Sequence, residues 1–121
     1  MTKTILTIDD SRTMRDMLKF ALDEAGYNVV QAEDGLAGLE ALEAHAPDVV
    51  ITDINMPRLD GFGVIERVRA NPKHRGLPVL VLTTESAPEK KARAREAGAT
   101  GWIVKPFDPG KLVDVVRRVT G

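Results

Sequence analysis

Three carboxylates, two hydroxyls and one ammonium recur at comparable places in this sequence. Asp9-Asp10 follows the run Thr4–Ile8, and Asp53 follows Val49–Thr52. Thr83-Thr84 ends the run Pro78–Thr83, and Lys105-Pro106 follows Gly101–Val104. Neighbouring carboxylates repel one another and hold protons unless a cation offsets their charge. An all-oxygen donor set with room for water suits Mg2+, which takes one or two carboxylates directly and keeps several waters. A divalent ion and a lysine flanking a lone carboxylate describe phosphoryl transfer. The two cations and a hydroxyl hold the phosphoryl oxygens while the carboxylate attacks. Asp9 and Asp10 share one run end and make a natural metal pair. Asp53 stands alone between that pair and Lys105, and is the expected nucleophile. Singly, each acid reads more simply as structural, Asp9-Asp10 as a helix cap and Asp53 as a solvated turn residue. Jointly, the five positions point to a site.

That site exists only if the runs are strands of one sheet. Five β-branched runs, Thr4–Ile8, Asn28–Ala32, Val49–Thr52, Pro78–Thr83 and Gly101–Val104, alternate with five helical patterns. Val49-Val50-Ile51 and Val79-Leu80-Val81-Leu82 are continuously apolar, as strands covered on both faces are. The first helix carries Met14, Met17, Leu18, Ala21, Leu22 and Ala25 at helical spacing, with Ser11 to cap it and Gly26 for the left-handed position at its end. Leu36 and Leu39 begin a second helix after Asp34, closed by Pro47. Asp60 caps a third, with Phe62, Ile65 and Val68 inward. Ser86-Ala87-Pro88-Glu89 reads as a capping box for the fourth. Asp108-Pro109 opens a fifth with Leu112, Val115, Val116 and Val119 on one stripe.

The fourth helix differs from the rest. Its inward candidates are Ala92, Ala94 and Ala97, and Lys90, Lys91, Arg93 and Arg95 crowd the remainder. Alanine buries far less area than leucine, so this helix is expected to be weakly anchored and a candidate moving part. The alternative is an exposed basic helix held by propensity alone. Strand–helix alternation with short connections gives a doubly wound α/β sandwich, whose ligands bind outside the carboxyl ends of the strands.

Composition narrows the function classes. The 121 residues hold 17 Lys+Arg against 18 Asp+Glu, a net charge of -1, which argues against nucleic-acid binding. Zero cysteine removes disulfides, thiolate metal sites and cysteine nucleophiles. No apolar run is long enough for a membrane span and no secretory signal opens the chain, so a cytoplasmic location is expected. His45 and His74 lie on polar stretches and read as solvated, with no metal spacing between them.

Asp9-Asp10, Asp53 with Ile54-Asn55-Met56-Pro57 after it, Asp60-Gly61, Thr83 and Lys105-Pro106 together resemble the response-regulator receiver family. The resemblance runs from the first strand to the last helix. The opening Asp-Asp-Ser-Arg-Thr-Met-Arg is most similar to the stand-alone chemotaxis members, and Met1 and the ending after the fifth helix suggest a complete protein. The resemblance implies a flavodoxin-like five-stranded parallel sheet, order 2-1-3-4-5, with five helices in one domain over residues 1–121.

It further implies that Asp53 accepts a phosphoryl group from a phosphohistidine on a histidine kinase. Asp10, Asp53 and the Asn55 backbone carbonyl would bind Mg2+, with Asp9 acting through water. Thr83, Thr84 and Lys105 would contact or follow the phosphoryl group, and Pro106 would carry a cis peptide. Asn55 and Glu85 would border the path of the hydrolytic water. Trp102 stands where the family places an aromatic residue that turns inward on activation, the alternative being a fixed tryptophan at the rim. Phosphorylation would then reposition the fourth helix and change the surface made with the fifth strand and helix. Lys90, Lys91, Trp102 and Lys111 there suit an acidic or amphipathic partner such as the flagellar motor switch. The chain would be a monomeric signalling protein, attended by a phosphatase, whose only reactions are its own phosphorylation and dephosphorylation.

Three rival readings remain at this point. An aspartate-nucleophile phosphatase of the haloacid dehalogenase type needs a carboxylate two residues after the nucleophile, where this chain has Asn55. An FMN carrier needs a hydroxyl- and glycine-rich first loop, where this chain has paired acids. A phosphate sink or relay receiver without a motor target needs the same phosphorylation site and is not separated by sequence.

Overall fold

The computed structural model describes residues 2–120. Five strands and five helices alternate: β1 Thr4–Ile8, α1 Arg12–Glu24, β2 Asn28–Ala32, α2 Gly35–His45, β3 Val49–Thr52, α3 Gly61–Ala70, β4 Val79–Thr83, α4 Pro88–Ala97, β5 Gly101–Val104 and α5 Pro109–Thr120. A short 3-10 turn, Pro72–His74, lies between α3 and β4. All pairings are parallel, in the order β2-β1-β3-β4-β5. The order reverses beside β1, so the crevice of a doubly wound sheet opens between the ends of β1 and β3.

Alternation along the buried strands divides the core in two. Ile5, Val49, Ile51, Leu80 and Leu82 pack with Leu18, Leu22, Leu112 and Val116 from α1 and α5. Leu6, Ile8, Val50, Val79 and Val81 pack with Leu42, Phe62, Ile65, Val68 and Ala94 from α2, α3 and α4. Helices therefore cover both faces, as the unbroken apolar runs require.

The predicted caps of α1 and α3 form, and Asp34, expected only to precede the second helix, caps it as well. The side chains of Ser11, Asp34 and Asp60 accept hydrogen bonds from the amides of Met14, Ala37 and Gly63 at 3.2, 2.8 and 2.9 Å. Gly26 takes φ 91° just beyond α1. The capping box before α4 does not form. Ala87 occupies the cap position without a side-chain bond, and Pro88, which has no amide hydrogen, takes the first turn. β4 starts at Val79 rather than Pro78, because proline has no amide hydrogen for the ladder; its carbonyl still accepts from Val50 N at 3.0 Å.

Of the three inward alanines expected in α4, only Ala94 is buried; Ala92 is exposed and Ala97 half-buried. Cations hold this helix instead. Arg93 lies 4.0 Å above the Phe62 ring, and Arg69 of α3 donates from Nε to the Gly98 carbonyl at the helix end, 3.0 Å. Met17, expected inward, is 48% exposed. His74 is not a free solvated side chain, because its Nε2 lies 3.3 Å from Glu43 Oε1 on α2.

Candidate functional site

Parallel strands end on the same edge, so the residues after β1, β3, β4 and β5 are brought side by side. The Asp9 amide donates to the Ala32 carbonyl at 3.1 Å and the Asp53 amide to the Ile8 carbonyl at 2.9 Å, which extends the ladder into the site. Asp9 Oδ1 accepts from the Ser11 amide at 2.9 Å, and Asp53 Oδ1 from the Ile54 amide at 2.6 Å. Both carboxylates thereby keep Oδ2 for another partner.

That partner is Lys105. Its Nζ donates to Asp9 Oδ2 at 2.8 Å and to Asp53 Oδ2 at 3.0 Å. Its amide donates to the Thr83 carbonyl at 2.8 Å, and the Lys105-Pro106 peptide is cis, as expected. Burial pushes the Lys105 ammonium down, but the hydrogen bonds and charges of Asp9 and Asp53 outweigh it and hold its pKa above the ordinary 10.5. The lysine is charged at neutral pH, in a mouth where Asp9 and Asp53 are 2% and 8% exposed.

Carboxylate oxygens of Asp9, Asp10 and Asp53 all lie within 4.8 Å of one another, and Asp10 is exposed to solvent. One ammonium against three carboxylates leaves negative charge over. An all-oxygen set open to water on one side fits a hard divalent cation of the Mg2+ type.

The other predicted residues surround this centre. Thr83 is fully buried and its Oγ1 accepts from the Glu85 amide at 3.2 Å, while Thr84 is exposed. Glu85 Oε2 pairs with Lys90 Nζ of α4 at 2.9 Å. Asn55 is exposed on the loop after β3. Trp102 is half-buried beside a cavity of about 70 Å³ lined also by Lys91, Ala94, Arg95 and Ala99.

Two supporting residues escaped the sequence reading. Arg15, one of several charges on α1, donates from Nη1 to the Asp9 carbonyl at 2.6 Å. No local spacing rule pairs a strand-end carbonyl with a residue in the next helix. Gly61 opens α3 directly under the site; a Cβ there would lie 2.8 Å from Ile54 Cα and would meet the Asp53 carbonyl. The Asp60-Gly61 pair was visible, but not the reason for its glycine.

The response regulator receiver domain model matches residues 5–117. The chain belongs to the response-regulator receiver family. Among its relatives, the receiver is 39% identical to the chemotaxis protein CheY1 of Helicobacter pylori over 119 residues, 97% of this chain and 96% of that protein. It is 39% identical to the chemotaxis protein CheY-3 of Vibrio cholerae over 116 residues, 95% of this chain and 89% of that protein. Among solved structures, the chemotaxis protein CheY4 of Vibrio cholerae superposes with a TM-score of 0.93 at 41% identity, covering 98% of this chain and 99% of that one. A response regulator from Burkholderia multivorans gives a TM-score of 0.82 at 50% identity, covering 100% and 97%. The receiver is thus a two-component signalling domain of the CheY type, and its acidic centre is consistent with Mg2+ binding.

Proposed function

We propose that this receiver, one domain over residues 1–121, accepts a phosphoryl group on Asp53 from the phosphohistidine of a histidine kinase. It then carries that state to an output protein. The observation that supports this best is the Lys105 ammonium between two nearly buried carboxylates, 3.0 Å from Asp53 and 2.8 Å from Asp9. A cation so placed pairs with the Asp53 carboxylate and stands where the phosphoryl oxygens would arrive.

In the transfer, one Asp53 oxygen bonds to phosphorus while the phosphorus–nitrogen bond breaks, its electron pair returning to the imidazole. Lys105 turns from the carboxylate to a phosphoryl oxygen. Asp10, Asp53 and the Asn55 backbone carbonyl would hold Mg2+, with Asp9 reaching it through water. When bound, that ion offsets charge on the phosphoryl oxygens and raises the reactivity of the group. Hydrolysis reverses the state, with Asn55 and Glu85 beside the path of the attacking water.

The phosphoryl group adds up to two negative charges and three acceptor oxygens. Thr83 rotates towards it and gives up the Glu85 amide, Thr84 moves with the loop, and α4 shifts. α4 has one fully buried apolar side chain among the described residues, Ala94, so the competing states are close in energy. Trp102 follows into the space beside it. The surface of α4, β5 and α5, with Lys90, Lys91, Trp102 and Lys111, then binds an acidic or amphipathic segment of a flagellar motor switch protein. A phosphatase would end the signal, and the receiver would act as a monomer in the cytoplasm.

The test compares wild type with Asp53→Asn, using Mg2+ and either a phosphorylated kinase domain or beryllofluoride. Label and a saturable change in Trp102 emission are expected in wild type alone. Equal labelling of the variant would overturn the assignment. Pull-down with a flagellar switch peptide, with and without beryllofluoride, separates motor output from a phosphate sink.

A further inference from the structure

Every polar atom of Asp9 has a partner. Its amide donates to the Ala32 carbonyl, Oδ1 accepts from the Ser11 amide, and Oδ2 accepts from Lys105 Nζ. The fourth atom, its carbonyl, accepts from Arg15 Nη1 at 2.6 Å. Arg15 is half-buried on α1 and, among the described residues, has no ion-pair partner. Its charge is directed at a neutral carbonyl instead, in a charge-assisted hydrogen bond. The backbone behind it is fastened twice: the Arg15 amide donates to the Ser11 carbonyl at 3.0 Å, and the Arg15 carbonyl accepts from Gln31 Nε2 on β2 at 3.0 Å. The peptide group joining Asp9 to Asp10 is planar, so holding its carbonyl also sets how the chain enters Asp10. Asp10 is exposed, and among the described residues its carboxylate takes no hydrogen bond or ion pair. Its backbone is what keeps that carboxylate within 4.8 Å of Asp53.

We infer that Arg15 is a positioning residue for Mg2+, fixing the Asp9–Asp10 peptide so that the Asp10 carboxylate stays in register with Asp53. The inference rests on the reading above in which Asp10 and Asp53 hold that ion. Two effects of Arg15 on a bound cation oppose each other, which makes the sign of its removal informative. As a charge, the guanidinium repels an arriving cation, and losing it would tighten binding. As a clamp, it spares the site the cost of ordering Asp10, and losing it weakens binding. The two effects also differ between metals. Mg2+ demands near-ideal octahedral geometry, whereas Ca2+ accepts flexible and larger oxygen sets. A lost clamp therefore weakens Mg2+ more than Ca2+, and a lost charge acts on both alike.

The test titrates Mg2+ and Ca2+ calorimetrically into the unphosphorylated full chain, as wild type, Arg15→Met, Asp10→Asn and the Arg15→Met/Asp10→Asn double variant. Arg15→Met is expected to raise the Kd for Mg2+ about tenfold, as loss of a partner that orients a metal ligand does. The Kd for Ca2+ should rise less, so the preference between the two metals shifts. The double variant should bind Mg2+ no more weakly than Asp10→Asn alone, because Arg15 acts through Asp10. Arg15→Gln, polar but too short to reach the carbonyl, should behave as Arg15→Met and serves if the latter does not fold. In the metal-free protein, the amide nitrogen resonance of Asp10 should move in Arg15→Met, since the hydrogen bond polarises that peptide group. Unchanged or tighter Mg2+ binding, equal weakening of both metals, or losses that multiply in the double variant would overturn the role of Arg15 and leave the metal site standing. Failure of wild type to bind Mg2+ would overturn the metal reading itself, and this inference with it.

Discussion

Lys105 Nζ lies 2.8 Å from Asp9 Oδ2, a contact between residues 96 positions apart that joins the last strand to the first. Removing the ammonium leaves two nearly buried carboxylates facing each other. Lys105→Met is expected to destabilise the receiver by about 3 kcal/mol, as does loss of one partner from a buried ionic cluster. Mg2+ should restore more stability to this variant than it adds to wild type, because it supplies the missing counter-charge. Urea unfolding with and without Mg2+ measures both.

The same lysine sets a pH dependence. Its folded pKa is raised above 10.5, so the folded state holds its proton more tightly than the unfolded chain. The resulting stability is fully present below 10.5 and is lost as pH rises through the folded value. Denaturant midpoints taken from pH 9 upward should fall with a component that Lys105→Met lacks; identical slopes would contradict this.

Gly61 brings the start of α3 against the chain at Asp53. With a Cβ 2.8 Å from Ile54 Cα and against the Asp53 carbonyl, both backbone atoms, Gly61→Ala must displace one segment. A cost of about 2 kcal/mol is expected, typical of overpacking in a tight core. Asp53 should move with it, so Mg2+ affinity and labelling should fall together in a variant that remains folded by circular dichroism.

Arg69 joins three segments through backbone carbonyls. Its Nη1 donates to His74, Arg75 and Leu77 at 3.0, 3.2 and 2.7 Å, and its Nε to Gly98 at 3.0 Å. Arg69→Met keeps the aliphatic stem and leaves these carbonyls to find water. A loss of about 2 kcal/mol is expected, in line with hydrogen bonds to a charged group. Amide exchange should accelerate at the end of α4 before it does in the sheet.

Thr7 offers the opposite case. Its Oγ1 is, among the described residues, the buried side-chain polar atom without a partner. Thr7→Val replaces that hydroxyl with a methyl group of similar shape and is expected to stabilise the protein by about 1 kcal/mol, the cost of an unsatisfied buried group. A lower denaturation midpoint would show that the hydroxyl is satisfied.

Local rules determined much of this protein from the sequence alone. Four strands, the caps of α1 and α3, and the placement of Asp9, Asp10, Asp53, Thr83 and Lys105 at strand ends follow from periodicity, cap chemistry and composition. Each depends on residues a few positions apart, which is the range over which backbone geometry acts. Where two local signals competed, sequence reading failed: Ser86 resembled a cap, but Ala87 took that position with Pro88 behind it.

Only the tertiary structure decided which partners those residues meet. Lys105 bridges Asp9 and Asp53 because strand order places β1, β3 and β5 ends around one mouth, across separations of 96 and 52 positions. Arg69 finds Gly98 across 29 positions, and Arg15 finds the Asp9 carbonyl, because helices pack where the sheet allows. Side chains of the same type along a helix look alike in sequence. Their neighbours are chosen by chain crossings whose geometry is a property of the whole fold.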